Sequence, residues 1–490
     1  MKKKEWLIFL GLFLLALALR LIGLASREIQ YDDAFSIFLA RQNLPNIIRG
    51  TAADTMPPLY YFLLHYWQLI SGSLTFLRLL SVALSLIGWL IAFDFSRRIS
   101  GFRAAVVTGL LLAINPLQIY HSQDLRMYGL LLAGQLGYYW FFYRIFEEKK
   151  NSKISVFGLV LCGVIAMYSH ALAVFGLIWA NIYLILRKRW VEHFHLIKAQ
   201  FIIGLIYLPW AFMLPEQIEK VQRAFWTPKP GIVEVLQSII LFHANLPLEG
   251  ILLPLAAVFS AQVFVVMVWE VFKERRSSEV LLLLALCVFG LPALLFSLSY
   301  FVQPVFVTRV FILSATLYCV VAGRIIVTRW KRGIGGFLIG GFLLAALISL
   351  PTLYTYNEFP RSPFRQAVEY LNKSENRDIY VLHDNKLSFF PMYYYDPSQN
   401  TAFLADEPGS PNDTFAPASQ EAMDIFPVNN LSDAVDHRQR FFFVVFSKAI
   451  AEYEESGLSH PVLQTLQQNY LLRNHLIFGD LEIYDFEVMP

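Results

Sequence analysis

The sequence predicts a mainly α, polytopic membrane protein. It has about 11 transmembrane helices, with further helices lying at the membrane interface and a mixed α/β domain outside the bilayer at its C-terminal end. Three observations predict it. First, 56% of the 490 residues are hydrophobic and only 16% are charged, against about half and about a quarter in a soluble domain; mean hydropathy is +0.50. Second, apolar runs of roughly 20 residues, long enough to cross hydrocarbon, recur along the first three-quarters of the chain. Third, the basic residues between those runs are clustered in alternate loops. A net charge of +3 leaves no electrostatic footprint for nucleic acid.

The runs lie near residues 6–25, 76–97, 102–119, 127–146, 154–169, 171–187, 198–214, 250–272, 279–300, 304–327 and 334–353. The first follows Met1-Lys2-Lys3-Lys4. It is long and has no small-residue cleavage site after it, so it reads as an uncleaved helix. Basic clusters occur at Lys2-Lys3-Lys4, Arg97-Arg98 with Arg103, Arg144 with Lys149-Lys150, Arg187-Lys188-Arg189, Lys273 with Arg275-Arg276, and Arg329 with Lys331-Arg332. With these spans every cluster falls on one side, which the positive-inside rule makes cytoplasmic. Loops 26–75, 120–126, 215–249 and 354–490 then face out across the cell (plasma or inner) membrane. Segment 59–70 is apolar but too short to span; if it spanned, Arg97-Arg98 would flip outside. Its Tyr60, Tyr61, Tyr66 and Trp67 suit a helix at the outer interface. Another short amphipathic helix is expected at 33–42.

Spanning runs stop after Tyr354, and charge, Asn, Ser and Pro rise. Residues 1–353 therefore form a transmembrane domain and 354–490 a soluble extracytoplasmic one. In the latter, Phe364 to Leu371 and Pro461 to Tyr470 read as helices. Asp378 to Leu382, Phe441 to Phe446 and Leu481 to Phe486 read as strands, and 396–430 as a loop. Cys162, Cys287 and Cys319 lie inside apolar runs and read as packing residues, not disulfides.

The candidates for chemistry sit in the outer loops. Asp32 and Asp33 follow the first span. If they open a helix they point about 100° apart, so one can face a cleft while the other caps the backbone; two acids there also complement the helix dipole. The same loop carries Asp54, Pro57 and Pro58. Asp124, Arg126 and Tyr128 begin a later helix. An acid, an arginine and a phenol at a membrane surface suit a phosphate, bare or metal-bridged; an interfacial salt bridge with a snorkelling arginine is the alternative. Tyr168 and His170 occupy the next outer turn. Arg309 opens an apolar run, where a charge is costly unless paired, which points to an anionic ligand; Arg78 is similar, with helix anchoring an equal explanation. No nucleotide-binding loop is present, which argues against direct use of a cytosolic nucleotide sugar.

Together these residues resemble the C-type glycosyltransferase (GT-C) fold, and within it glycosyltransferase family 39. That group includes the protein O-mannosyltransferases and the bacterial aminoarabinose transferases acting on lipid A. Asp32-Asp33 stands where the family has an Asp-Glu pair. Met56-Pro57-Pro58-Leu59-Tyr60-Tyr61 matches its His-Pro-Pro-Leu-Tyr-Tyr segment, and Ser122-Gln123-Asp124-Leu125-Arg126-Met127-Tyr128 its Ser-Gln-Glu-x-Arg-Met-Tyr segment. Leu77-Arg78-Leu79-Leu80-Ser81 and Tyr168-Ser169-His170 also look like the family. The similarity covers roughly residues 5 to 330.

The resemblance implies an inverting glycosyltransferase. It would move a hexosyl or pentosyl group from a polyprenyl-phosphate-linked donor to a hydroxyl of a protein, lipid or glycan acceptor at the outer face. Asp32 would be the catalytic base, beside Asp33. Arg126, Tyr128, Arg309 and Tyr61 would hold the donor phosphate. Asp124 and Asp33 would be ligands for a divalent cation (Mg or Mn), and Asp54, Pro57, Pro58, His65 and His170 would line the pocket. Two departures are Asp33, one methylene shorter than the family's glutamate, and Met56, which replaces a histidine. They keep open an alternative: a non-catalytic or differently specialised GT-C-fold protein for lipid-glycan transport or assembly. A transporter, however, would place charges at the midplane and show internal repeats, whereas the acids here gather at one face.

Overall fold

The computed structural model describes residues 2–223, 227, 229–274, 278–410 and 412–489. In chain order its helices begin with α1 (Lys3–Leu21), α2 (Tyr31–Ala40), α3 (Leu44–Ala53), α4 (Leu59–Gln68), α5 (Leu74–Ser100), α6 (Phe102–Ile114), α7 (Pro116–Ser122), α8 (Tyr128–Phe142) and α9 (Lys153–Ser169). Next come α10 (Ala173–Leu177), α11 (Trp179–Leu186), α12 (Trp190–Ala211), α13 (Leu214–Arg223), α14 (Ile232–Leu241), α15 (Leu252–Glu274), α16 (Glu279–Ala285), α17 (Leu291–Phe301), α18 (Ile312–Thr328) and α19 (Ile334–Thr355). The C-terminal elements are α20 (Phe364–Leu371), β1 (Tyr380–His383), α21 (Lys386–Tyr395), β2 (Thr401–Phe403), α22 (Pro417–Met423), α23 (Leu431–Val435), β3 (Arg440–Phe446), α24 (Ser447–Glu455), α25 (Pro461–Asn469), β4 (Tyr470–Phe478) and β5 (Leu481–Val488).

This is a multi-pass membrane protein. Each expected apolar run is helical, as α1, α5, α6–α7, α8, α9, α10–α11, α12, α15, α16–α17, α18 and α19. Among the described residues, six helices suffice alone by length and composition to cross a bilayer, or seven with the bent pair α6–α7. The bend is 59° and has a local cause. Pro116 has no N–H to continue the ladder, and the Asn115 side chain caps the new helix by accepting from Gln118 N at 3.0 Å. Helix α5 starts at a Ser73 cap and ends at Gly101, whose φ of +83° suits glycine. The short α4 is where segment 59–70 was expected. The connection 215–249 between two expected spans carries α13 and α14.

Contacts divide the chain into two compact units, 1–25 with 51–354, and 26–50 with 355–490. The sequence reading kept 26–50 with 1–353. In the first unit α8 and α9 pack closely because glycines face the partner helix. A Cβ at Gly134 would sit 2.8 Å from Ala166 N, and one at Gly137 2.6 Å from Cys162 Sγ, which is the small-residue packing of membrane helices. At one end of this bundle acids pair with the basic clusters. Arg98 binds Asp94 at 2.6 Å and Glu148 at 2.9 Å, Arg189 binds Glu147, and Arg329 binds Glu270 at 2.6 Å. Arg324 reaches Ser100 Oγ at 3.5 Å. The C-terminal ends of α5, α15 and α18 therefore meet there. Arg275-Arg276 lies outside the described residues.

The second unit contains a five-stranded sheet of order β2-β1-β3-β5-β4. Strands β1, β2 and β3 are parallel; β5 and β4 add antiparallel. Strand β3 is a nearly unbroken apolar run, and its side chains feed two cores. Phe441, Phe443 and Val445 face one, Phe442 and Val444 the other, as period-2 alternation in a sheet covered on both faces requires. Strands β1, β3 and β5 and helices α20 and α25 are where the sequence placed strands and helices. Strand β4, helix α21, and the β2 and α22 that interrupt the expected loop 396–430 are additions. Helix α2 begins two residues before the expected 33–42 segment.

Candidate active site

In the first unit the candidate residues meet at the ends of α7, α9 and the turn before α18. Gln123 fixes the turn between α7 and α8. Its Nε2 donates to the Arg20 carbonyl at 3.0 Å and the Ile22 carbonyl at 2.8 Å, pinning the turn to the end of α1. Within that turn Asp124 Oδ2 lies 3.1 Å from His121 Nδ1, and both side chains are buried. The His121 ring sits 4.6 Å from the Tyr128 ring, and Tyr128 lies 6.5 Å from His170. Buried Arg126 donates from Nη1 to Tyr61 Oη at 3.3 Å, which ties α4 to the same place.

His170 shows which charges share its surroundings. Its Nδ1 accepts the Leu172 N–H at 3.1 Å, so the neutral ring carries its proton on Nε2. Burial first, then the positive charges of Arg309 and Arg126, push its pKa down to about 3. The ring is therefore uncharged at neutral pH, and the two arginines sought from the sequence both act on it. Arg126, Arg309 and His170 thus form one group at the ends of apolar helices. It lies at the N-terminal ends of α8 and α18 and the C-terminal end of α9. The basic networks lie at the opposite ends of α8, α9 and α18.

The remaining candidates take up varied positions. Pro57 and Pro58 are buried just before α4, and Pro58 is its N-cap residue. Asp54 and His65 are half-buried, and the His65 ring stands edge-on to Tyr66 at 5.1 Å. Between Asp54 and Met56, Thr55 holds φ +66°, a conformation a β-branched residue adopts only under constraint. Asp32 and Asp33 belong to the second unit, in the first turn of α2. Asp33 is fully buried and Asp32 half-buried, and Ser36 Oγ donates to the Asp32 carbonyl at 2.8 Å.

Three members were not anticipated. His121 had a signal, its i,i+3 spacing to Asp124. Gln123 lay inside the recognised segment with no assigned task. Arg20 stood as a lone charge near the end of an apolar run. It is buried, with Nε donating to Ser85 Oγ at 3.1 Å, Nη1 to the Ala16 carbonyl at 3.0 Å and Nη2 to the Leu112 carbonyl at 3.3 Å. Among the described residues no group of three or more His, Cys, Asp or Glu side chains is placed to hold a metal, and Asp124 faces His121.

This is the fold of the C-type membrane glycosyltransferases. Residues 55–212 match the sequence model of the dolichyl-phosphate-mannose-protein mannosyltransferase family. No curated protein matches the chain. Among solved structures, ArnT from Cupriavidus metallidurans bound to undecaprenyl phosphate superposes with a TM-score of 0.61 at 11% identity, covering 97% of this chain and 98% of that one. The oligosaccharyltransferase AglB of Archaeoglobus fulgidus, in complex with an inhibitory peptide and a dolichol-phosphate, gives 0.51 at 11% identity over 99% of this chain and 74% of that one. The Archaeoglobus fulgidus oligosaccharyltransferase in complex with Zn and sulfate gives 0.51 at 13% identity over 96% and 72%.

Proposed function

We propose that the chain is an inverting glycosyltransferase that moves a sugar from a polyprenyl-phosphate carrier to an acceptor hydroxyl at the outer face of the plasma or inner membrane. The observation that carries this reading is the Arg126, Arg309 and His170 cluster on apolar helices. Guanidinium forks suit phosphate oxygens, and two of the three solved relatives carry an undecaprenyl phosphate and a dolichol-phosphate.

The chemistry follows in one displacement. The Asp32 carboxylate accepts the proton of the acceptor hydroxyl as its oxygen bonds to the anomeric carbon. The bond from that carbon to the phosphate oxygen breaks, and the electron pair leaves on the lipid phosphate. Arg126 and Arg309 offset the charge that grows there. Neutral His170, with its proton on Nε2, and the Tyr61 and Tyr128 hydroxyls add hydrogen-bonding groups. The acceptor hydroxyl belongs to a protein, lipid or glycan.

The test is sugar transfer from a polyprenyl-phosphate donor by the purified chain in lipid nanodiscs. Asp32→Asn keeps the shape but cannot take a proton. It should lower turnover by about 10²- to 10⁴-fold while the protein stays folded and still binds undecaprenyl phosphate. Near-normal turnover removes Asp32 from the mechanism.

A further inference from the structure

Residues 355–490 carry no catalytic assignment of their own, yet their contacts with α2, in the same unit, are specific. Tyr31, Phe35 and Phe38 recur at i, i+4 and i+7 and so form one stripe along α2. That stripe meets a single ring of α21. Phe390 lies 5.1 Å from Tyr31, 6.3 Å from Phe35 and 5.8 Å from Phe38. Phe38 is also 5.5 Å from Tyr393, and the Arg41 guanidinium covers Phe38 at 5.4 Å and Tyr394 at 6.0 Å. The chain entering α2 is held as well. Tyr395 Oη donates to Glu28 Oε2 at 2.7 Å and accepts from Ile29 N at 3.4 Å, while Arg365 lies over the Tyr395 ring at 5.3 Å. Beyond α2, Ser419 Oγ donates to the Gly50 carbonyl at 3.1 Å, and Arg49 pairs with Glu421. Asp32 and Asp33 stand about 100° and 200° around the helix from Tyr31, off the stripe.

We propose that α21 is the positioning element of the reaction: Phe390 sets the rotation of α2 about its own axis, and Tyr395 sets where α2 begins. Together they aim the Asp32 and Asp33 carboxylates. The proposal rests on the reading of Asp32 as the base, but its geometry does not. A helix of 10 residues, under three turns, is marginal in isolation, so its orientation must come from what it packs against. Every ring contact of the stripe given above is made with residues 389–395 or, for Phe35, also with Phe415 at 6.4 Å. Phe390 and Tyr395 are positioning residues, acting through α2 on groups they do not supply.

The experiment uses the full chain with Cys162, Cys287 and Cys319 replaced by alanine. Three quantities are read in Phe390→Ala, in the conservative Phe390→Tyr, and in Tyr395→Phe, which removes only a hydroxyl. They are kcat for transfer, Kd for undecaprenyl phosphate, and the spectral mobility of a nitroxide attached through Asp32→Cys. Phe390→Ala should raise label mobility and lower kcat by about 10- to 100-fold, as loss of alignment does, with Kd unchanged. Phe390→Tyr should restore both, and Tyr395→Phe should give a smaller shift in the same direction. Unchanged mobility in Phe390→Ala and Tyr395→Phe would overturn the positioning role. Loss of donor binding together with kcat in both variants would overturn it too, because the defect would then be general. Raised mobility with normal kcat would uphold the packing but overturn Asp32 as the base, and with it any catalytic meaning of α21.

Discussion

His170, on which the charges of Arg126 and Arg309 both act, shows how single residues divide the labour here. A protonated imidazole would add a third positive charge, and burial with the two arginines keeps it neutral. In the proposed reaction the arginines alone would bring charge to the phosphate, and their planar forks suit phosphate oxygens better than an ammonium does. Arg126→Ala should therefore lower kcat by about 10²- to 10³-fold, as loss of a preorganised charge donor does; Arg126→Lys should recover only part of that. Steady-state transfer rates check both. These residues were legible because isolated charges among apolar residues draw attention. The His121–Asp124 contact at 3.1 Å was not, because it depends on a turn that only the folded chain makes. In the second unit, His383 supplies a pH prediction. Its ring is fully buried beside Ser388 Oγ at 3.0 Å, and burial pushes its pKa down to about 3. Between that value and the ordinary one of 6.5, the unfolded chain binds a proton that the folded chain does not. Stability contributed by this site is therefore lost as pH falls through that window, by up to about 1.4 kcal/mol per pH unit. Thermal melts of the full chain at pH 7.5 and 5 should differ less in His383→Gln than in the parent.

At the scale of elements, the long apolar helices could be read directly because a span needs only length and hydropathy. What could not be read was how closely they approach. Gly134 and Gly137 let α8 lie against α9, and the backbone and sulfur beside them leave no room for a side chain. Gly134→Leu should force the pair apart and destabilise the chain by several kcal/mol, since overpacking typically costs about 1–3 kcal/mol and here the obstacle is the Ala166 backbone. A lowered melting temperature, with Gly336→Leu on an open helix face as the control, measures it. The soluble elements that escaped the sequence reading each had a physical reason. Helix α21 carries Pro391 inside it, ordinarily a helix breaker. Strand β4 is an edge strand exposed on both faces with an irregularity between Leu472 and Asn474, so no clean alternation marks it. Helix α2 was foreseen, but its grouping with residues 355–490 was not, because aromatic residues spaced along a short helix do not name their partner.

At the scale of the whole molecule, the charges of the helix bundle divide by end. The ion-paired basic clusters occupy one end of α8, α9 and α18, and the Arg126, Arg309 and His170 cluster the other. By the positive-inside rule the first end would be cytoplasmic and the proposed site would face out. Residues 26–75, 120–126 and 354–490 would lie outside. A sugar donor made in the cytosol could not reach such a site directly, so the reaction would depend on a lipid carrier already flipped across the membrane. Single cysteines introduced at exposed Ser398 and exposed Lys331, in a chain otherwise lacking cysteine, decide the matter with a membrane-impermeant maleimide. Ser398→Cys should label in intact cells, and Lys331→Cys only after the membrane is opened. The reverse pattern would put the C-terminal residues and α2 inside. Asp32 would then share the compartment of soluble nucleotide sugars, and the case for a flipped polyprenyl-phosphate donor would fail even if the purified chain still bound the lipid.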